Sequence, residues 1–278
     1  MVIEEAIKYG KEKLKDNLYT DSFRESIELL SFLINKDISY ILTNLKTHLD
    51  EKTEREFLDI INRREKNEPI QYILKSANFY GREFYVDERV LIPRNETELS
   101  VEKILKIANE KDFHKILEIG AGSGAICVTL ALESKSLKVF ASDISEDALE
   151  VVKINREKYH AENLKLIKSN LFENISESFD IIFSNPPYIK TAEIENLQKE
   201  VGFEPKLALD GGDDGLNFYR EITKKSCEYL KKGGFLCFEI GYDQGEDVKK
   251  ILRENSYKNI EILKDFQGYD RVITAEVK

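Results

Sequence analysis

The sequence predicts an α/β fold with a mostly parallel sheet and an antiparallel C-terminal hairpin, preceded by a small helical N-terminal domain. From about residue 97 onward, strand and helix patterns alternate, which is typical of a parallel sheet with helices on both faces. The first seventy residues show helical spacing of apolar residues and no dominant strand pattern. We therefore predict a helical domain over residues 1–71, a β-hairpin linker over 72–96 and the α/β domain over 97–278.

Two helices are recognisable in the N-terminal domain. Thr20 or Asp21 is available as the N-cap of the first, and Asp50 is available for the second. Their apolar residues recur at helical spacing: Phe23, Ile27, Leu30 and Leu33 in the first helix, and Phe57, Ile60 and Ile61 in the second.

The linker changes character. The segment from Asn78 to Val86 turns around Gly81 in the manner of a β-hairpin. It is followed by an apolar stretch, Val90-Leu91-Ile92-Pro93, that ends in the polar residues Arg94, Glu96 and Glu98.

Seven strands are predicted in the C-terminal domain. The last two are separated by a short polar segment rather than by a helix, which indicates a hairpin at the sheet edge. The predicted strands are Lys115–Ile119, Lys138–Ser142, Leu164–Lys168, Phe179–Ser184, Phe235–Ile240, Asn259–Leu263 and Arg271–Glu276.

Composition and charge exclude several classes of protein. Hydrophobic residues make up 41% of the chain, with only 14 glycines and 5 prolines, so a disordered or low-complexity chain is excluded. No apolar run reaches the roughly 18 residues that a membrane span needs. The formal net charge of −10 disfavours a partner held by phosphate contacts, so we expect neither nucleic acid nor membrane as partner.

The chain has three cysteines, at positions 127, 227 and 237, without a Cys-x-x-Cys pair, and its three histidines lack metal-ligand spacing. We therefore expect a reduced, cytoplasmic, metal-free protein with its cysteines in or near the core.

A glycine-rich loop follows the predicted strand Lys115–Ile119. In Glu118-Ile119-Gly120-Ala121-Gly122-Ser123-Gly124-Ala125 the glycines allow a tight turn, and the following helix presents free N–H groups to a ligand. Asp143 ends the next strand, where a carboxylate can bind ribose hydroxyls. The pattern predicts a nucleoside site. It fits a dinucleotide fingerprint as well as the Glu-x-Gly-x-Gly-x-Gly loop of S-adenosylmethionine-dependent methyltransferases.

A second motif, Asn185-Pro186-Pro187-Tyr188, follows the strand Phe179–Ser184. The prolines stiffen the turn, so that the Asn185 side chain and the Pro186 carbonyl can accept hydrogen bonds from one planar –NH2 group. Tyr188 offers a face for stacking on that group. An amide nitrogen is a poor nucleophile, and this arrangement would hold its lone pair towards an electrophilic methyl group.

Together these two motifs resemble the amino-methyltransferases, which act on DNA adenine, on ribosomal RNA guanine or on protein glutamine. The linker segment Leu91-Ile92-Pro93-Arg94-x-Glu96-Thr97-Glu98 and the terminal Asp265-x-x-Gly268-x-x-Arg271 narrow the resemblance to the HemK/PrmC family of release factor glutamine methyltransferases. The chain departs from that family at Lys75, where glycine is usual, at Asn95, where proline is usual, and at Asn170-Leu171, where an acid and an aromatic residue are frequent.

The resemblance implies the class I S-adenosylmethionine-dependent methyltransferase fold, which is Rossmann-like. It also implies that class 1 peptide chain release factors are the partners and substrates, methylated on the glutamine of their Gly-Gly-Gln motif. By it the helical domain docks the release factor. Expected cofactor-binding residues are Gly120, Ala121, Gly122, Ser123, Gly124, Asp143, Asn170, Leu171 and Asn185. Expected catalytic residues are Asn185, Pro186 and Tyr188, and Pro187 joins them in binding the substrate.

Three alternatives remain open. A nucleic-acid amino-methyltransferase shares the Asn-Pro-Pro-Tyr motif, although the acidic charge disfavours it. A non-catalytic binding module would not need the intact motif. An NAD-dependent dehydrogenase is the weakest alternative, because no recognisable motif supplies a His or Lys general acid.

Overall fold

A computed structural model describes residues 1–17 and 21–278 of the chain. One structural unit contains Met1–Ser76 together with Gln198–Phe203, and the other contains Ala77–Leu197 and Glu204–Lys278. The predicted linker 72–96 falls across this division. In the described ranges no helix is both long enough and apolar enough to cross a membrane.

The first unit is helical, as predicted. The carboxylate of Asp21 accepts a hydrogen bond from the backbone of Arg24, and that of Asp50 accepts from Lys52 and Thr53, so both acids cap their helices. Thr20, the alternative cap, lies outside the described residues. The helices are α1 (Ile3–Leu14), α2 (Ser22–Ile34), α3 (Ile38–Thr43), α4 (Glu51–Glu65) and α5 (Ile70–Leu74).

A buried arginine lies at the end of α4. Arg64 is only 2% exposed, and its Nε donates to Oε2 of Glu25 at 2.6 Å. Its Nη2 donates to Oε1 of Glu200 at 2.5 Å, so residues distant in the chain share one guanidinium. A buried charge is stable only when it is paired in this way.

The second unit contains a two-stranded hairpin and a seven-stranded sheet. The hairpin turns at Gly81, as predicted. The strands are β1 (Ala77–Phe79), β2 (Arg82–Phe84), β3 (Lys115–Ile119), β4 (Lys138–Asp143), β5 (Leu164–Lys168), β6 (Phe179–Ser184), β7 (Leu230–Glu239), β8 (Lys258–Lys264) and β9 (Asp270–Glu276). The strand order in the sheet is β5-β4-β3-β6-β7-β9-β8, in which the first five strands are parallel and β9 and β8 are antiparallel to their neighbours.

Helices cover both faces of this sheet. On one face Val101 and Val128 belong to a buried cluster with residues of β3 and β4, and on the other Tyr219 and Val248 pack with β6 and β7. This arrangement confirms the predicted fold class. The helices are α6 (Glu98–Lys111), α7 (Ala125–Glu133), α8 (Glu146–Lys158), α9 (Asn217–Ser226) and α10 (Gly245–Glu254).

Two local predictions are wrong. β7 begins at Leu230 rather than at Phe235, because its pairing with β6 skips from Leu230 to Phe235 through a bulge. The bulge contains Gly233 at φ +75°, so in sequence it is indistinguishable from a turn. Cys227 is exposed just after α9 and not in the core, whereas Cys127 and Cys237 are buried as expected.

The sheet order places a topological switch point between β3 and β6. From β3 the chain proceeds outward through β4 to β5, and it then returns to add β6 on the other side of β3. Ile119 and Ser184 are register partners at the carboxyl ends of these two strands. Ligands of open α/β sheets bind at such a point, so the segments that follow Ile119 and Ser184 are the candidates for a site.

Candidate active site

The glycine loop follows the end of β3, and one side of its backbone is open. Gly120 and Gly122 have φ of +77° and +53°, and a Cβ atom at either position would meet no atom of the described part of the chain within 4 Å. The N–H groups of Gly120 and Ala121 both donate to the carbonyl of Ser142, at 2.8 and 3.0 Å. The loop is thus tied to β4 while its open side remains accessible to a ligand.

Gly124 has a different role from its neighbours in the loop. A Cβ atom here would lie 2.8 Å from Cγ1 of Val152, and the residue precedes the first turn of α7. The absence of a side chain therefore lets α7 approach α8 closely, and Gly124 does not line the cavity described below.

Asp143 links the end of β4 to the loop. Its Oδ2 accepts from the N–H of Gly122 at 3.0 Å and its Oδ1 from the N–H of Ser145 at 2.9 Å. Burial raises the pKa of this carboxyl, and these backbone hydrogen bonds offset part of the rise. The carboxylate is therefore held in one orientation beside the loop.

Glu118 is a functional candidate that the sequence analysis quoted in the loop motif but did not select. Its side chain is 1% exposed and lines the cavity, and its Oε2 has no hydrogen-bond partner in the described part of the chain. Burial raises its pKa to about 8, although a hydrogen bond from Cys127 opposes this. A buried carboxyl with an unpartnered oxygen suits a ligand that brings a donor or a positive charge.

The Asn-Pro-Pro-Tyr motif follows the end of β6, and its backbone contacts two other segments of the chain. The Tyr188 carbonyl accepts from Nε2 of Gln244 at 3.0 Å. A Cβ atom at Gly211 would lie 2.8 Å from the Pro187 carbonyl oxygen, which shows how closely that loop packs on the motif. Pro186 is buried and Asn185 partly exposed. The backbone that follows Asn185 is thus held at Pro187 and Tyr188.

Tyr188 does not line the cavity. It is partly buried against the core cluster of β6, β7 and α9, and burial together with the nearby charge of Glu239 raises its pKa to about 12. The predicted stacking face is therefore packed under the motif in this structure.

Asn170 and Leu171 lie after β5 and line the cavity. Leu171 has a left-handed φ of +48°, and its carbonyl accepts from the hydroxyl of Ser169 at 2.9 Å. The amide of Asn170 donates to Oε1 of Glu173 at 2.9 Å. The side-chain amide of Asn170 is therefore engaged with its own turn.

One cavity of about 480 Å³ brings most of the predicted site residues together. This volume is within the range of roughly 300–1,000 Å³ found for small-molecule sites. The predicted residues that line it are Gly120 to Ser123, Asp143, Asn170, Leu171 and Asn185 to Pro187.

Several other residues that line the cavity were not predicted as site residues. Arg94 and Thr97 belong to the polar end of the segment interpreted as a linker. Leu207, Phe218 and Glu221 belong to no motif.

The polar cluster after Pro93 is tied to the structure around it. Nη2 of Arg94 donates to Oε1 of Glu204 at 2.5 Å, and Glu204 has a side chain only 3% exposed. Oε1 of Glu98 accepts from the N–H of Tyr80 at 2.7 Å and so connects α6 to the hairpin. Glu98 thus has a structural contact, and Arg94 both lines the cavity and braces one of its walls.

Family models match two parts of the chain. The Methyltransferase small domain matches residues 96–201 and the PrmC N-terminal domain matches residues 5–74. Among solved structures, the chain resembles the hMettl16 catalytic domain in complex with the MAT2A 3′UTR hairpin 6, with a TM-score of 0.61, 14% identity and coverage of 90% of this chain and 92% of that one. It also resembles a methyltransferase from Pyrococcus furiosus, with a TM-score of 0.53, 19% identity and coverage of 77% and 98%. These likenesses concern the fold.

Curated relatives extend over the whole chain. A release factor glutamine methyltransferase of Clostridium acetobutylicum is 39% identical over 280 residues, which cover 99% of this chain and 98% of that protein. One from Bacillus cereus is 36% identical over the full length of both. The predicted family is confirmed: the protein is a methyltransferase, and the chain belongs to the release factor glutamine methyltransferases.

Proposed function

We propose that the protein transfers a methyl group from S-adenosylmethionine to the side-chain amide nitrogen of the glutamine in the Gly-Gly-Gln motif of class 1 peptide chain release factors. The observation that carries the proposal is the placement of Asn185 and Pro186 beside the glycine loop, at the ends of adjacent strands and in one cavity. The names of the full-length relatives support the same substrate.

The cavity fits S-adenosylmethionine by the chemistry of its donors and acceptors. The loop from Gly120 to Ser123 offers bare backbone to the amino-acid end, and the unpartnered Oε2 of Glu118 suits its ammonium group. Asp143 would accept hydrogen bonds from the ribose hydroxyls, and Asn170 and Leu171 would border the adenine. Because leucine cannot stack as an aromatic ring does, apolar packing would hold the base there. When bound, the cofactor supplies an electrophilic methyl group on a sulfonium centre.

Asn185 and Pro186 would hold the substrate amide. The Asn185 Oδ1 and the Pro186 carbonyl oxygen are acceptors, and each would take one N–H of the glutamine side chain. Two acceptors on one –NH2 group fix the plane of that group and favour a nitrogen whose lone pair is less delocalised into the carbonyl. Positioning of this kind lowers the barrier without a strong general base. Tyr188, which is packed under the motif, and Pro187, which lines the cavity, would support this geometry by stiffening the motif.

The helical unit would dock the release factor. Its second and third helices carry four large apolar side chains that are 43–50% exposed: Phe23, Phe32, Ile38 and Leu42. We propose that exposed apolar side chains of this unit contact the release factor. We propose residues 1–71 as the docking domain, 72–96 as its linker and 97–278 as the catalytic domain. A release factor substrate also implies that the enzyme works in the cytoplasm.

The test is incubation of the purified protein with methyl-labelled S-adenosylmethionine and a class 1 release factor, followed by mass spectrometry of the release factor peptides. We expect one methyl group on the motif glutamine, and no label on a release factor in which that Gln is replaced by Ala. Label that survives the replacement would contradict the proposal. Ribosomal RNA and DNA are tested in parallel at physiological salt, and methylation of either one in place of the release factor would favour the nucleic-acid alternative.

A further inference from the structure

The last residue of β7 is a buried carboxylate next to the Asn-Pro-Pro-Tyr motif. Ser184 and Phe238 are register partners on the parallel strands β6 and β7, so Asn185 and Glu239 follow them at the same edge of the sheet. Glu239 is only 2% exposed, and its backbone pairs with Val272 of β9. Neither motif identified in the sequence contains Glu239, and it does not line the cavity.

Hydrogen bonding from the side chains of Thr97 and Asn185 lowers the pKa of this carboxyl. Its Oε2 has no hydrogen-bond partner within residues 1–17 and 21–278. The carboxylate therefore has free acceptor capacity at the sheet edge from which the motif continues.

An asparagine that serves as an acceptor needs a partner for its other end. Its side-chain amide presents an oxygen on one side and an –NH2 group on the other, and rotation by half a turn exchanges the two. An acceptor on the protein side selects the orientation in which Nδ2 points inward and Oδ1 points to the ligand.

We infer that Glu239 is a positioning residue that receives Nδ2 of Asn185 and thereby turns Oδ1 of Asn185 towards the substrate amide. The inference rests on the proposed function, since it assigns an orientation to a residue whose substrate is proposed.

The ion pair of Arg271 and Asp265 places a positive charge near Glu239. Nε and Nη2 of Arg271 donate to Oδ2 of Asp265 at 3.3 and 3.0 Å, and the side chains of both residues are mostly buried. The charges of Arg271 and Glu239 act on one another. This gives a role to the terminal Asp265-x-x-Gly268-x-x-Arg271 segment, because Asp265 fixes the arginine whose charge stabilises the carboxylate form of Glu239.

The ionisation of Glu239 depends on groups from four elements. Burial raises its pKa to about 7, hydrogen bonding from Thr97 and the charge of Arg271 oppose this, and the charge of Glu96 adds to it. Tyr188 after β6 and Tyr219 on α9 also face it. On protonation the carboxyl gains an O–H donor and becomes a weaker acceptor, so the orientation of Asn185 becomes less well defined below this pH.

The experiment compares Glu239→Leu, Glu239→Gln and the control Thr223→Val in the full chain. Thr223 is buried on α9, and its hydroxyl has no hydrogen-bond partner among the described residues, so its replacement tests the general effect of altering a buried polar side chain. Three quantities are measured: kcat and KM with the release factor between pH 5.5 and 9, and the Kd of S-adenosylhomocysteine by calorimetry.

Glu239→Leu removes the acceptor, so we expect kcat to fall by about 10²-fold, while KM and the Kd of S-adenosylhomocysteine change less than about twofold. Glu239→Gln retains an acceptor oxygen that does not titrate. Its kcat should fall less than that of Glu239→Leu. We expect the unaltered enzyme to lose activity as the pH falls through about 7, and this acid-side loss should be absent from Glu239→Gln. Thr223→Val should keep both kcat and the acid-side loss.

Two results would overturn the inference: a Glu239→Leu enzyme with unchanged kcat, or a Glu239→Gln enzyme that keeps the acid-side loss. If Glu239→Leu fails to fold, the pH profile of Glu239→Gln decides the question alone. Failure of the proposed function is a separate result, in which the unaltered enzyme leaves the release factor glutamine unmethylated although it binds S-adenosylhomocysteine.

Discussion

The hydroxyl of Ser184 donates a hydrogen bond of 2.8 Å to the carbonyl oxygen of Ile119. It joins β6 to β3 at the last register pair before the two strands diverge into the Asn-Pro-Pro-Tyr motif and the glycine loop. Since both residues are buried, the bond fixes the distance between the two segments that we assign to substrate and cofactor.

Asn185→Ala is expected to lower kcat on the release factor by about 10²–10³-fold, the usual cost of removing one such positioning acceptor or donor. The Kd of S-adenosylhomocysteine should change less than about twofold, because we assign the binding of the cofactor mainly to the loop and Asp143. Steady-state kinetics and calorimetry measure the two effects. Turnover comparable with that of the unaltered enzyme would show that the catalytic role of Asn185 is wrong.

Gly122→Ala introduces a methyl group at φ +53° on the open side of the loop. We expect a loss of about 1 kcal/mol in the free energy of unfolding from the left-handed backbone. The Kd of S-adenosylhomocysteine should also rise at least about tenfold, because the added methyl group would occupy the space that we assign to the cofactor.

Gly81→Ala is the matched control, since Gly81 has φ +70° and also no atom within 4 Å of a Cβ, but lies in the hairpin. It should lose similar stability and keep its cofactor affinity. Equal affinities in the two variants would contradict the placement of the cofactor.

Phe32→Ser tests the proposed docking of the release factor on the helical domain. Phe32 is 50% exposed on α2, so its replacement should leave the fold intact and raise KM for the release factor by about tenfold, or about 1.4 kcal/mol. Ile154→Ser, at 39% exposure on α8, is the control and should leave KM unchanged. Equal KM values for both variants would place the docking surface elsewhere.

Lys75→Gly is expected to stabilise the protein by about 0.5–1 kcal/mol. Lys75 ends α5 in a left-handed conformation with φ +55°, which explains why glycine is usual here in the resembled family. Urea denaturation gives the change. Lys75→Ala retains the left-handed Cβ and should bring no such gain, so equal stabilisation by both substitutions would exclude backbone strain as the cause.

Asp87 should contribute to stability in a defined acid range. Burial tends to raise its pKa, but hydrogen bonds from Arg89 and Tyr85 outweigh this and lower the pKa from 3.8 to about 2. Because the folded-state value is the lower one, the contribution is present above about pH 4 and is lost as the pH falls to about 2. It amounts to about 2 kcal/mol at neutral pH.

Unfolding of the Asp87→Asn protein, measured from pH 7 to 2, should therefore show lower stability at neutral pH and a smaller decline in acid. A decline as steep as that of the unaltered protein would contradict the assignment.

The sequence predicted most elements because local signals agreed with the tertiary structure. β3, β5 and β6 each contain at least three apolar residues within five or six positions, and their bounds are as predicted. The bulge in β7 was missed, since Lys231 to Gly234 looks like a turn until pairing with β6 carries the strand through it.

The site was partly predictable for a related reason. Residues within one short motif, such as Gly120 and Asn185, are recognisable in sequence, whereas Glu239 acquires its position only when β7 pairs beside β6. Gly124 fits the glycine pattern of the loop but serves helix packing. Nothing in the pattern distinguishes these two uses of glycine.

The guanidinium of Arg64 has a consequence for the order of events during synthesis. Its partner Glu25 leaves the ribosome before it, but Glu200 follows only after β6 has been made. The segment Gln198–Phe203 belongs to the helical unit, so that unit cannot acquire its full set of contacts while the nascent chain ends before residue 203. The helices that are translated first are thus among the parts that finish folding late, and a ribosome stalled within the first 190 residues would carry a helical unit whose Arg64 lacks the carboxylate of Glu200.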